Sequence, residues 1–315
     1  EKPKFTRGYK TKLESAFQMN TANKLFLSTA TSWNVECTKV PFEWLVESID
    51  TFTEVMNLSG VAFEKYRTDE TKEYMPLSYV LARNLAYQVE KVKKDHILPY
   101  LRPDGKMQVT VLYEDDVPVY VTDIVVSLQH DEIDIEKLRR DVKEKIIDVV
   151  IPKEYLREDT VYHINATGRF VIGGPVGDTG LTGRKIIVDT YGGFAHHGGG
   201  SFSGKDASKV DRTGAYFARF VAKNIVARGF AKRCEVALSY AIGVSHPTSI
   251  RIDTFHTETI PLEEIEAWVV EEFDFRPKQM IERLKLKEPI YQSLSYYGHF
   301  GKEGYTFEEI IKEEE

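Results

Sequence analysis

The stretch from Gly168 to Gly204 is dense in glycine and in cations, and it constrains the fold more than any other part of the chain. Glycine at this density opens backbone conformations closed to other residues and lets N–H groups approach an anion closely. The stretch runs into a helix expected from about Asp206 to Arg228, with Ala218, Val221 and Ile225 as its packing face and Gly229 as its C-terminal cap.

Ordinary elements flank it. Phe42, Leu45, Val46, Ile49 and Phe52 recur at helical spacing over 40–55, with Pro41 just inside the start. Pro76 begins another helix, carried by Val80, Leu81, Leu85 and Val89 and broken at Leu98-Pro99 and Pro103-Asp104-Gly105. Alternation over Met107–Glu114, a turn at Asp115-Asp116 and a return over Val117–Leu128 predict a hairpin. Asp131 and Asp134 are capping residues for a helix with Leu138, Val142, Ile146 and Val149 buried, stopped by Pro152. Strands are expected over 236–244 and 249–255, and a helix over 263–273 with Ile265, Trp268, Val269 and Phe273 inward. Gly298-His299-Phe300-Gly301 reads as a turn. The pattern is α+β, without regular βαβ units or a G-x-G-x-x-G start. No Gly/Ser or Pro-rich linker marks domain boundaries, which are placed near residues 65 and 170, giving 1–64, 65–170 and 171–315.

With 42% hydrophobic and 29% charged residues, the chain has the composition of folded rather than disordered protein. Its net charge of −7 gives no global attraction to nucleic acid or an anionic membrane, so any bound anion must meet a local basic cluster. Cys37 and Cys234 alone exclude a disulfide framework or a Cys-based zinc site and fit a reducing compartment. No apolar run approaches the roughly 20 residues of a membrane span. The simplest reading is a soluble, cytosolic (cytoplasmic) protein.

Two blocks carry chemistry. The first, Gly168–Lys185, ends in Gly177-Asp178-Thr179-Gly180-Leu181-Thr182-Gly183-Arg184-Lys185. The second is Gly198-Gly199-Gly200-Ser201-Phe202-Ser203-Gly204-Lys205-Asp206, followed by Lys209 and Asp211 at a helix start. Lysines and free N–H groups at a helix N-terminus are what a polyphosphate needs, and Asp178 and Asp211 suit Mg²⁺ held between phosphate oxygens. Each block alone reads equally as tight turns. Gly204-Lys205 is not a Walker A sequence. Adjacent His196 and His197 on an extended strand would face opposite ways and make a poor metal site, and Lys106 by default is a solvated turn lysine. Together the blocks point to a metal–polyphosphate site.

These residues resemble the S-adenosylmethionine synthetase (methionine adenosyltransferase) family. Gly168–Gly174, 178–193, Gly198–Asp211, Ser239–Val244 and Tyr297–Gly301 match its C-terminal signature, and Arg67–Pro76, Leu98–Lys106 and Gln129-His130-Asp131 match its central part. The resemblance implies three pseudo-symmetric α+β domains with the N-terminal one shortened, tight dimers with active sites at the subunit interface, and Mg²⁺ and K⁺ as cofactors. The implied reaction is attack of methionine sulfur on the ribose C5′ of ATP, releasing tripolyphosphate that is then hydrolysed. Carried over by motif, Asp104, Lys106, Phe170 and Asp178 would surround adenosine and methionine, Arg184 and Lys185 would contact phosphates, and Asp211 would bind Mg²⁺. Lys205 and Lys209 would reach the neighbouring subunit's site, and Glu36 is the counterpart of the methionine-binding glutamate.

The chain departs from the pattern near its start. The family's Gly-His-Pro-Asp-Lys motif has no counterpart in Phe5–Lys12, and the first histidine is His96. The Gly-Ala-Gly-Asp-Gln-Gly gating loop is also missing, because Gly60-Val61-Ala62-Phe63 runs almost directly into Glu64–Glu70. A homodimer would lack one part on each side of both sites, whereas a complete paralogue would restore most of each. The expectation is a subunit of a heteromeric synthetase; the alternatives are a pseudoenzyme that stabilises or regulates a catalytic partner, and a tripolyphosphate- or nucleotide-binding protein.

Overall fold

The structure is a computed structural model that describes residues 56–63, 71–114, 117–178 and 180–312. The helix expected over 40–55, Cys37, Glu36 and residues 1–55 of the expected shortened N-terminal domain lie outside the described residues. The first described strand, β1 (Met56–Phe63), pairs within the C-terminal half of the chain.

Residues Lys65–Leu181 form one unit. Leu77, Leu81, Leu85, Val89 and Val92 recur at helical spacing in α1 (Leu77–Lys94), and all are buried. Their stripe packs on the hairpin of β2 (Leu101–Glu114) and β3 (Val117–His130), against Val121, Ile124, Val126 and Leu128 of β3. Strand β2 begins six residues before the expected Met107, because Pro103-Asp104-Gly105 is carried inside the strand. The pairing steps from Leu101↔His130 to Gly105↔Leu128, a bulge that re-aims Asp104.

Asp134 caps α2 (Ile135–Val142) by accepting a hydrogen bond from Lys137 N at 2.8 Å. A π-turn over Lys143–Ile147 follows. Its extra residue per turn rotates the later positions, so Val149, expected inside, is 61% exposed while Ile147 and Ile151 are buried. Strand β4 (Val161–Ile164) then pairs parallel to β3. Beyond it the buried Asn165 amide donates to Leu128 O and accepts from Leu128 N, both at 2.9 Å, so a side chain prolongs the ladder where the backbone turns away at φ 41°.

The other unit contains 182–315 together with β1. After the single turn α3 (Ile186–Asp189) comes α4 (Val210–Ala227), which is buried on nearly every side. It starts four residues later than expected. Asp206 bonds forward to Ser208 N at 2.7 Å, a local side-chain bond that competes with helix and leaves Lys209 as the residue before the first turn. It ends as the sequence predicts: Gly229 has φ 74°, Gly229 N bonds Val226 O and Phe230 N bonds Ile225 O. The helix packs on the antiparallel sheet β1-β5-β6, with β5 (Arg233–Tyr240) central and β6 (Ser249–Asp253) at its edge. β5 stops before the expected Val244, where Gly243 takes φ 80°. α5 (Leu262–Glu272) buries Ile265 and Val269, and a further helix, α6 (Pro277–Arg283), has Pro277 in its first turn.

The C-terminal segment is tied back to α4 by Glu308. Its carboxylate accepts from Arg219 at 3.1 and 2.9 Å, from Lys223 at 2.8 Å and from Gly301 N at 2.6 Å, all out of solvent. Arg219 and Lys223 keep the Glu308 carboxyl below the usual range despite its burial, which opposes them. Glu308→Ala removes the buried carboxylate that Arg219 and Lys223 share, so unfolding stability should fall by about 3–5 kcal/mol in urea titration; a loss within ~0.5 kcal/mol, ordinary for a surface change, would show the cluster to be incidental.

Candidate functional site

In the unit 65–181 the bulge of β2 brings Asp104 to the turn after Phe170. Asp104 Oδ2 accepts from Gly174 N at 2.9 Å, and Asp104 N donates to Gln129 Oε1 at 3.3 Å. Gln129 Nε2 in turn donates to Val171 O at 3.0 Å. Gly173 sits where a Cβ would lie 2.8 Å from the Phe170 ring and 3.1 Å from Asp104 Oδ2, so only glycine admits this approach. The Phe170 peptide is clamped by His130, whose N donates to Phe170 O at 2.9 Å while its Nε2 accepts from Phe170 N at 3.0 Å. His130 Nδ1, facing Asp131 O at 2.7 Å, is therefore the protonated nitrogen. Asp104 and Phe170 are thus brought together. Lys106 is exposed two residues along β2, and Asp178 is exposed one turn beyond Gly174.

In the other unit the glycines set the spacing of the cations. Gly183, at φ 83°, lies where a Cβ would be 3.3 Å from Ser203 Cβ, which seats the Arg184 segment on the Lys205 loop. Asp211 packs into the gap left by Gly200, where an added Cβ would lie 2.8 Å from Asp211 Cβ and Cγ. Asp211 pairs with Lys205 at 2.9 Å in a half-buried contact. Arg184, Lys185 and Lys209 are exposed, Lys185 and Lys209 standing immediately before the first residues of α3 and α4. A cleft of about 610 Å³ opens beside the loop, with Lys205, Ser208, Arg212, Lys287 and Tyr291 among its walls.

His196 and His197 behave oppositely, as adjacent residues on extended chain should. His196 Nδ1 meets Glu235 Oε1 at 2.8 Å, and that hydrogen bond raises its pKa. His197 Nδ1 accepts from Gly199 N at 2.6 Å, and burial, assisted by Lys205 and opposed by Asp211, pushes its pKa down to about 4. Among the described residues no group of three or more His, Cys, Asp or Glu converges on a cation. A single carboxylate such as Asp211 suits Mg²⁺ that completes its shell with phosphate oxygens and water. Sequence reasoning passed over Arg212, Tyr216, His299 and Asp189, all buried behind the Lys205 loop. The signal for His299 was the Tyr297–Gly301 stretch, read as a turn and as a match to the family's C-terminal signature, with no role given to its histidine.

Among the described residues the one cysteine, Cys234, is buried in β5, and burial raises its pKa, which makes it a poor nucleophile. Among the described residues no helix is long and apolar enough to cross a membrane.

Gly200→Ala should displace Asp211 and cost about 1–3 kcal/mol, the range for overpacking; unchanged denaturation would mean that Asp211 moves aside freely. Acid should loosen the fold through His197. Below pH 6.5 the unfolded chain binds a proton that folded His197 refuses until about pH 4. Stability therefore falls with pH across that window by about 1.4 kcal/mol per unit. His299, lowered to about 3, acts in the same direction, and Asp189, raised to about 6 by burial, opposes it between about 6 and 3.8. His197→Gln should flatten the slope in pH-dependent thermal unfolding, and an unchanged slope would remove His197 from this account.

Comparison with known proteins identifies the family. Residues 60–170 match the central domain of S-adenosylmethionine synthetase, and residues 172–309 match its C-terminal domain. An S-adenosylmethionine synthase of Clostridium acetobutylicum is 56% identical over 238 residues, covering 75% of this chain and 61% of that relative. The chain thus spans less than two thirds of the length of the curated relative it matches. Both matched domains contain the glycine-seated side chains described above, and the chain belongs to the S-adenosylmethionine synthetase family.

Proposed function

We propose that the chain is a subunit of a methionine adenosyltransferase that forms S-adenosylmethionine from ATP and methionine, completed by a full-length paralogue in a hetero-oligomer. The observation that carries this reading is the glycine-seated set of cations within residues that match the family's C-terminal domain. Thioether sulfur is already nucleophilic, so the chain's task is to orient substrates and meet the charge that develops on departing tripolyphosphate. Asp104, Lys106, Phe170 and Asp178 hold adenosine and methionine in this reading, and Arg184 and Lys185 contact the phosphates. Lys205 and Lys209 serve the neighbouring subunit's phosphates. Mg²⁺ at Asp211 would supply further neutralisation of phosphate charge, and K⁺ is the second cation the family leads us to expect. Glu36 belongs to the same proposal, as does the division into domains 1–64, 65–170 and 171–315. The partner contributes the Gly-His-Pro-Asp-Lys segment and the gating loop that residues 1–64 do not carry.

Tripolyphosphate with Mg²⁺ should raise the thermal midpoint of the full chain, since a ligand bound only by the folded state stabilises it by mass action. Arg184→Ala with Lys185→Ala should shrink that rise. Mixed with a complete synthetase, the chain should co-elute, and either this pair or Lys205→Ala with Lys209→Ala should lower the turnover of the complex without loosening assembly. Normal assembly with unchanged turnover in both double variants would make the chain a structural or regulatory subunit instead.

A further inference from the structure

Behind the Lys205 loop runs a buried chain of polar side chains that none of the roles above uses. Arg212, 4% exposed, donates from Nη1 to Lys205 O and from Nε to the Tyr216 hydroxyl, both at 2.9 Å. The Tyr216 hydroxyl lies 2.7 Å from His299 Nδ1. A phenol has one proton, and its oxygen here already accepts from Arg212, so that proton goes to His299 Nδ1 and the imidazole carries its own on Nε2. Burial, reinforced by Arg212 and Lys302, holds the His299 pKa down to about 3, which keeps the ring neutral.

His299 Nε2 ends 4.0 Å from Asp189 Oδ1. Both Nε2 and Asp189 Oδ2 are buried without a hydrogen-bond partner among the described residues. The separation is too long for a direct hydrogen bond and matches the span of one bridging water, which would accept a hydrogen bond from Nε2–H and donate one to the carboxylate. The far end is equally tied: His299 N donates to Asp189 O at 2.8 Å, and Asp189 N donates to Lys185 O at 2.9 Å, closing the turn that begins at Lys185.

We propose that Arg212, Tyr216, His299 and Asp189 are positioning residues that, with one water held between His299 Nε2 and Asp189, keep the Lys185 turn and the Lys205 loop in a single relative arrangement. The consequence for ligand rests on the reading that both segments bind polyphosphate; the relay itself does not. Its strength lies in directional bonds that run from the Arg212 guanidinium through an uncharged phenol and imidazole to the Asp189 carboxylate, so a substitution at a link leaves a buried neighbour unsatisfied.

The test uses the full chain with ¹⁵N-labelled histidine, hydrogen exchange followed by mass spectrometry, and calorimetric binding of inorganic tripolyphosphate with Mg²⁺. Wild-type His299 should show a protonated Nε2 and an unprotonated Nδ1; the reverse tautomer overturns the proposal whatever the variants do. Tyr216→Phe keeps the ring contacts to Phe202 and Phe307 and removes only the hydroxyl. It should speed exchange in both 185–192 and 203–209 and weaken tripolyphosphate binding about tenfold, the lower range for losing a supporting contact. Asp189→Asn should act on the same two segments, and it replaces Tyr216→Phe as the deciding variant if the latter does not fold. Faster exchange in one segment only, or in neither, overturns the relay. If wild-type chain binds no tripolyphosphate, the polyphosphate reading fails alone, and the tautomer and exchange measurements still decide the relay.

Discussion

The buried carboxylate of Glu308 is the contact from which the C-terminal unit is organised. A carboxylate taken out of water loses several kcal/mol of solvation, and only full pairing recovers it. Glu308 is paired by Arg219 and Lys223 one turn apart on α4 and by a backbone N–H at Gly301. The geometry admits few alternatives, so the chain after Gly298 is bound to one face of one helix. That places His299 and Phe300 against Tyr216 and Phe202, with ring centroids 5.0 to 6.0 Å apart. The interior behind the Lys205 loop is built by this attachment.

The glycines act here by absence of bulk as much as by flexibility. Gly173, Gly183 and Gly200 each occupy a place where a Cβ would press on a side chain the site uses or on the loop that carries it. Close approach fixes the positions of Asp104, Phe170 and Asp211, while the neighbouring basic groups stay at the surface. Arg184, Lys185 and Lys209 are exposed. Under the proposed function a chain with net charge −7 meets its polyanion at this local cluster, because attraction at a few ångströms outweighs a weak field averaged over the molecule and screened by salt.

Much of the frame was legible in advance. Helical periodicity located α1, α2, α4 and α5, and the Gly229 cap ended α4 where expected. Misreadings came from local chemistry that periodicity does not register. The Asp206 side chain delays α4, a π-turn exposes Val149, and a three-residue bulge carries Asp104 inside β2 rather than into a turn. The last of these matters for function, since the bulge points Asp104 at Gly174.

By itself the sequence determined the α+β class, the two Gly/Lys/Asp blocks and the membership those blocks imply, because each depends on residue type and short-range spacing. Only the tertiary structure decided which residues meet. His299 and Asp189 are more than a hundred positions apart, and their shared burial follows from the attachment of the C-terminal segment to α4. The same holds for pKa. His196 and His197 are identical and adjacent in sequence, yet a carboxylate raises one and burial lowers the other, since ionisation answers to surroundings that only folding assembles.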